Sequence, residues 1–311
     1  MGDMVRVEVF LSTFNGERYL KEQLGSILNQ EGNFDLQLFI RDDGSTDQTC
    51  EILKEYESNQ HVRVIYGSNI GINASIMNLI STSDLTSDFY AFADQDDVWF
   101  PNRMQKAIDD LQANPSDTPV LWTCNELLTD AELQVYGTLS TSKYLGDFRN
   151  AMIQNKVPGH TQVMNRAMIS KLMKYPAEWM YLYDRVFYMT ACALGEVIYH
   201  AEPCGFYRQH QHNEVGYDNN MLHHFWSRFR LFLKGRYINN ANQLYYFHQY
   251  FKYDLKECDK NEIVYFLESR ASLWKRLRYS ITNNVKCDTI YEYTLFRLAY
   301  ILGAFGKHSS V

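Results

Sequence analysis

The chain has 311 residues, of which 46% are hydrophobic and 15% aromatic, enough for one large or two ordinary domains with a sizeable core. Its net charge of −7 argues against a general nucleic-acid binder. The cysteines Cys50, Cys124, Cys192, Cys204, Cys258 and Cys287 form no CxxC, so the spacing suggests neither zinc ligation nor a disulfide framework and favours a reducing, cytoplasmic compartment.

The start, Met1-Gly2-Asp3-Met4-Val5-Arg6, lacks the features of a signal peptide. No run of about 18 uncharged apolar residues predicts a membrane span, so any membrane contact is expected to be peripheral. Residues 5–13 read as a buried strand, followed by a turn at Phe14-Asn15-Gly16-Glu17. Leu20, Leu24, Ile27 and Leu28 then give helical spacing over 19–29. A strand at 36–40 ends in Arg41-Asp42-Asp43-Gly44-Ser45-Thr46-Asp47, and a helix over 48–57 follows. A third strand, 62–66, leads to Gly67-Ser68-Asn69-Ile70-Gly71, then a helix over 73–81 and a strand over 89–93. Past residue 115 the alternation loosens. A strand is expected at 120–124, helices near 147–156, 165–175 and 180–194, and a short strand at 196–199. From about 218 the pattern is helical and aromatic, with Phe266, Leu267, Leu273, Trp274 and Leu277 marking one helix and 295–302 the last.

Repeated β-α units with short connections predict an α/β fold, a mostly parallel sheet flanked by helices, with a C-terminal helical region. A soft boundary near 217 divides the chain into 1–217 and 218–311. Ligands in such folds bind beyond the carboxyl ends of the strands. Four polar or glycine-containing segments are expected to converge there: Ser12-Thr13, Asp42-Asp43-Gly44, Gly67-Ser68-Asn69 and Asp94-Gln95-Asp96. The tetrad Asp94-Gln95-Asp96-Asp97 places three carboxylates after a buried-looking strand, which is costly without a compensating cation. If strand geometry persists, Asp94 and Asp96 share one face and Gln95 takes the other. Two carboxylates on one side form half a site for Mg²⁺ or Mn²⁺, and the alternative is an acidic turn capping the next helix.

The order S-T-F-N-G-E-R-Y-L-x-E-Q-L-x-S-I-L-x-Q, then R-D-D-G-S-T-D, N-x-G and D-Q-D-D-V-W-x-P resembles the family-2 glycosyltransferases. Gly159-His160-Thr161, Tyr183-Asp184 and Tyr207-Arg208-Gln209-His210, with Asn213 and Gly216, extend the likeness to the bacterial branch that builds rhamnose-containing cell-wall and capsular polysaccharides. The match covers roughly 5–216. It implies a GT-A fold, an inverting reaction, a nucleotide-sugar donor and a Mn²⁺ or Mg²⁺ ion bridging its phosphates.

The resemblance also assigns roles. Asp94 and Asp96 take the metal-facing DxD positions, Asp96 as the direct ligand, with Gln95 beside the donor and Asp97 in a supporting place. His210 reaches the metal or diphosphate from the far side, and Arg208 adds a bond to phosphate. Ser12, Thr13 and Glu17 contact the nucleotide, although Glu17 alone also reads as a first-turn helix acid. Asp43 matches the position that accepts from a pyrimidine imide N–H. One of Asp42 and Asp43 is expected only to cap the turn, and Asn69 and Gly71 serve the nucleotide side. Asp184 is the expected catalytic base, although the usual His and Trp around it are Tyr183 and Phe187 here. Gly159 and His160 are expected where the acceptor enters, glycine permitting close approach.

Residues 222–236 carry Arg228, Arg230, Lys234 and Arg236, with no acid, beside an apolar stripe. This basic amphipathic helix can pack on the catalytic domain, form a homodimer or lie on an anionic membrane bearing a lipid-linked saccharide acceptor. For the donor, dTDP-L-rhamnose leads and a UDP-hexose competes. A nucleotidyltransferase would need a triphosphate loop that STFNGE lacks, and a sugar-binding module would not need acids at four strand ends.

Overall fold

The computed structural model describes residues 4–114, 117–139, 142–210 and 236–306. Strands β1 (Val5–Thr13), β2 (Phe34–Asp42), β3 (Val62–Tyr66) and β4 (Phe89–Ala93) lie parallel, in the order β3-β2-β1-β4. Helices α1 (Leu20–Leu28), α2 (Thr49–Tyr56) and α3 (Ile72–Thr82) connect them, each where the periodicity placed it. Their carboxyl ends share one edge, so the polar segments that follow meet there.

The second half extends this sheet. Its elements are β5 (Val98–Trp99), α4 (Arg103–Gln112), β6 (Val120–Thr129), β7 (Val135–Thr138), α5 (Phe148–Ala151), β8 (Val163–Asn165), α6 (Arg166–Leu172), α7 (Tyr183–Leu194) and β9 (Glu196–Arg208). The full order is β3-β2-β1-β4-β8-β6-β9-β5, with β7 paired to β6. Strands β6 and β9 run with β1–β4, whereas the short β5, β7 and β8 run against them. Because β9 runs far beyond the expected 196–199, it carries Arg208 to the same edge as the four parallel strand ends.

Alternation along each strand builds two cores. Val7, Val9 and Leu11 face Leu24, Ile27, Met104 and Ile108 on one side. Phe10, Tyr90 and Phe92 face α3 and α7 on the other. Helix α4 follows its own signal, with Met104, Ala107, Ile108 and Leu111 on one buried face. The expected helix at 147–156 stops at Ala151, and Asn155 beyond it turns to Asp184.

Four further helices complete the described chain: α8 (Arg236–Phe251), α9 (Glu257–Ser269), α10 (Leu273–Thr282) and α11 (Ile290–Ile301). The single helix expected across Phe266 to Leu277 is two, because the Ser272 side chain accepts from the Lys275 N–H and starts a new one. Phe247, Phe266 and Tyr300 belong to the same core as Phe92, Phe148 and Phe187, so these helices pack on the sheet-bearing part of the chain. No helix among the described residues is long and apolar enough to cross a membrane. The boundary near 217, the motif residues Asn213 and Gly216, and the basic stretch 222–236 apart from Arg236 lie outside the described residues.

Candidate active site

Strand β4 ends at Ala93, so the tetrad is a turn and the alternation expected for it does not apply. Its four side chains diverge. Gln95 turns to the end of β1, where its Oε1 accepts from the Thr13 hydroxyl at 2.6 Å and the Phe14 N–H at 2.9 Å. Asp96 meets His210, Oδ2 to Nε2 at 2.8 Å, and the His210 ring stacks on Tyr19 at 5.0 Å. Asp94 meets His160 instead, Oδ2 to Nδ1 at 3.1 Å. Asp97 is buried, and its Oδ1 accepts from the Arg208 N–H at 3.1 Å.

Burial, and then the neighbouring Asp94 carboxylate, push the Asp96 carboxyl above its ordinary range. Asp96 Oδ2 beside His210 Nε2 supplies a carboxylate, the hard oxygen donor that Mn²⁺ and Mg²⁺ prefer, next to a nitrogen. Asp96 and His210 keep 16% and 12% of their side-chain surface open, which leaves the pair within reach of a ligand. Asp96 and His210 therefore offer a divalent cation one carboxylate and one imidazole, while Asp94 turns to His160 on the other side of the turn.

The trio Asp94, Asp97 and His160 also lies close enough for a metal. Its chemistry argues otherwise. His160 is 2% exposed, and its Nε2 is already 2.7 Å from Glu126 Oε2. Burial disfavours an imidazolium there, but Asp97 and Glu126 outweigh it and hold His160 well above its ordinary range. With Nδ1 on Asp94 and Nε2 on Glu126, both ring nitrogens are already engaged within the protein. Glu126 in turn accepts from Arg103 at 2.8 Å, both side chains wholly buried, and a second Arg103 nitrogen donates to the His160 carbonyl. The Arg103 guanidinium lies 4.3 Å over the Trp99 ring. This chain of buried charge supports the tetrad from below. His160 thus sits buried beside the acids, with its ring on Asp94 and Glu126. At Gly159 a Cβ would fall 2.1 Å from the Tyr183 hydroxyl, so glycine there permits the close approach of Tyr183.

Replacing Glu126 with Ala would leave Arg103 and His160 buried without their shared counter-charge. The expected cost is ~3–5 kcal/mol, read as a lower denaturation midpoint in urea. A Glu126→Ala protein as stable as wild type would show the network to be dispensable.

Asp184 opens α7, the segment before it held extended by Gln243 Oε1, which accepts from the N–H groups of Tyr181 at 2.8 Å and Leu182 at 3.1 Å. Asn73 Oδ1 accepts from the Tyr183 N–H at 2.9 Å. The Asp184 carboxylate accepts from Asn155 Nδ2 at 2.8 Å and from the Arg185 N–H at 2.7 Å. Burial dominates these bonds and pushes Asp184 up to about 6, with Asp94 adding repulsion. A half-buried carboxyl poised near neutrality is what a general base requires.

The donor-side residues fall at the shared edge. Asp43 is buried, forms an ion pair with Arg41, and accepts from the N–H groups of Ile70 at 2.9 Å and Gly71 at 2.8 Å. Asp42 is the turn former, Oδ2 accepting from the Gly44 and Ser45 N–H groups, both at 3.1 Å. Gly71 adopts φ 81°, a left-handed conformation that favours glycine, at the start of α3. Asn69 is exposed on the same loop. The Ser12 and Ser75 hydroxyls lie 2.6 Å apart. Glu17 acts as a tie between segments, accepting from the Gln48 N–H at 2.9 Å. Arg208 is buried beside the turn that carries Asp96. Its guanidinium donates to the carbonyls of Asp96 at 2.8 Å and Ala131 at 2.6 Å and pairs with Glu22, so it fixes the turn that carries Asp96.

The family model described as Glycosyl transferase family 2 matches residues 8–169. The chain belongs to glycosyl transferase family 2. A dTDP-rhamnosyl transferase, RfbG of Shigella flexneri, is 28% identical over 218 residues, covering 66% of this chain and 73% of the relative. Among solved structures, S. aureus TarS 1-349 in complex with UDP superposes with a TM-score of 0.58 at 16% identity, covering 96% of this chain and 81% of that one. The mannosyltransferase PcManGT from Pyrobaculum calidifontis, in complex with GDP-Man and Mn²⁺, gives 0.56 at 15% identity over 97% and 86%. These structural neighbours share the fold, which is GT-A.

In this glycosyltransferase, residues outside the sequence motifs do much of the positioning. Arg103, Glu126, Asn155 and Gln243 each hold a motif residue or the backbone beside one. Glu126 and Arg103 left a trace, as single charges within otherwise buried faces of β6 and α4. Nothing in one sequence pairs them across 23 residues. Asn155 and Gln243 left none.

Proposed function

We propose that this chain is a metal-dependent, inverting glycosyltransferase that moves a sugar, with L-rhamnose from dTDP leading, onto a saccharide or lipid-linked acceptor of a bacterial surface polysaccharide. One observation carries the reading: an acid turn sets Asp96 against His210, and from α7 the half-buried Asp184 carboxyl, raised to about 6, feels Asp94 of the same turn. Asp184 takes the proton of the acceptor hydroxyl as that oxygen attacks the anomeric carbon. The sugar–phosphate bond breaks in the same displacement, and its electrons leave with the nucleoside diphosphate. Asp96 and His210, with Asp94 on the same turn, would hold a divalent cation, which would supply charge stabilisation for that diphosphate. The segments after β1, β2 and β3 hold the nucleotide. Asp43 Oδ2 accepts one N–H from Gly71 and keeps a lone pair for a base imide.

The lean to dTDP-L-rhamnose rests on the YRQH and DQDDVW wording and on the Shigella relative's name. Uracil and thymine offer the same imide, so a UDP-hexose is the competing donor. The test is a panel of nucleotide sugars assayed for hydrolysis and transfer, with and without chelator. Chelator-sensitive turnover of dTDP-L-rhamnose above all others is expected. No turnover of any donor, or turnover indifferent to chelator, contradicts the proposal.

A further inference from the structure

Helix α10 turns its wrong side outward. Tyr279 and Ser280 are buried, yet Trp274 is 80% and Ile281 70% exposed. Trp274, Arg278 and Ile281 stand at i, i+4 and i+7, so they share one face. Lys275 is exposed alongside, and the helix, LWKRLRYSIT, contains no acid. In a protein of net charge −7 this is a local reversal of sign. The neighbouring α11, tied to α10 by Arg276 donating to the Ile301 carbonyl at 3.0 Å, exposes Ile290 at 85%, and Leu302 just past its end is 71% exposed.

We propose that the outward face of α10 is a docking surface for an anionic lipid bilayer. A tryptophan and aliphatic side chains flanked by Lys and Arg, with no carboxylate, are the composition of a helix that lies in the headgroup region. Charge decides against the other occupants. A two-fold dimer through this face brings the cations of both copies of α10 together with no acid of α10 to pair them. The segment 222–236, with four cations and no acid, brings like charge too. Anionic headgroups complement the face, each cation near them adding to the attraction. The surface goes beyond the transferase reading and stands independently of it.

The experiment is co-sedimentation of the full chain with phosphatidylcholine vesicles, with or without phosphatidylglycerol. Transfer to a soluble acceptor is assayed in parallel. Binding is expected only with phosphatidylglycerol and is expected to weaken with salt. Lys275→Glu/Arg278→Glu should lose it by ~10-fold or more, and Trp274→Ala/Ile281→Ala should lose it with unchanged melting temperature and transfer. Undiminished binding by either variant, or equal binding to neutral vesicles, overturns the proposal. So does a concentration-dependent dimer that Trp274→Ala/Ile281→Ala abolishes. A loss of binding with transfer intact separates this surface from the active site.

Discussion

Asp184→Asn should reduce transfer by about 10²–10⁴-fold, the range a general base contributes, while the protein still binds donor. The side chain keeps its shape and can still accept from the Arg185 N–H, so the α7 terminus has no reason to move. What is lost is a carboxylate held near 6 by burial. The wild-type rate, as kcat/KM, should rise with pH through that value and level off above it, because the base acts only when deprotonated. Asp184→Asn should lack this limb. Its stability should move the other way. The folded state raises this carboxyl above its unfolded value, so ionising it opposes folding once pH exceeds the unfolded pKa. Asp184→Asn should therefore unfold at higher urea than wild type at neutral pH. Steady-state rates from pH ~5 to ~8 and urea titrations check both. An Asp184→Asn enzyme with unimpaired transfer would falsify the assignment.

Asp96→Ala should fail differently. It removes the carboxylate facing His210 at 2.8 Å and half of the donor set that fits a cation. Turnover should fall by about 10²–10³-fold, as when one preorganised charge at a developing anion is lost. Unlike Asp184→Asn, it should also weaken Mn²⁺-dependent binding of the nucleoside diphosphate, and His210→Ala should share this phenotype. Folding should be little affected. The tie from Arg208 reaches the Asp96 carbonyl rather than its side chain, so the turn keeps its anchor. Calorimetric titration of the diphosphate, with and without Mn²⁺, separates the two variants.

The first half of the chain was legible because its signals are local. Val7, Val9 and Leu11 alternate, α1 and α3 carry helical stripes, and each strand end is polar. The later strands were not. Strand β8 has three residues and β5 two, too short to show a period, and they exist because β4, β6 and β9 offer edges to pair with. At the site, motif wording located Asp96, His210 and Asp184, but not what each touches. Strand alternation failed for the tetrad because the strand stops at Ala93. It sent Asp94 and Asp96 to a common face, whereas a turn delivers one to His160 and the other to His210. The likeness placed Gly159, His160 and Arg208 against substrate. The structure adds that His160 and Arg208 are buried and bonded to the tetrad and to Glu126 and Glu22, contacts between residues far apart in sequence that no motif shows.

The central claim is a division of labour, with donor and cation held by the Asp96 turn and the proton taken by Asp184. Its most direct test is nucleoside diphosphate affinity in saturating Mn²⁺, measured side by side for wild type, Asp184→Asn and Asp96→Ala. The prediction is wild-type affinity for Asp184→Asn and a loss of ~10-fold or more for Asp96→Ala. Equal affinity in all three, or a loss confined to Asp184→Asn, would contradict it.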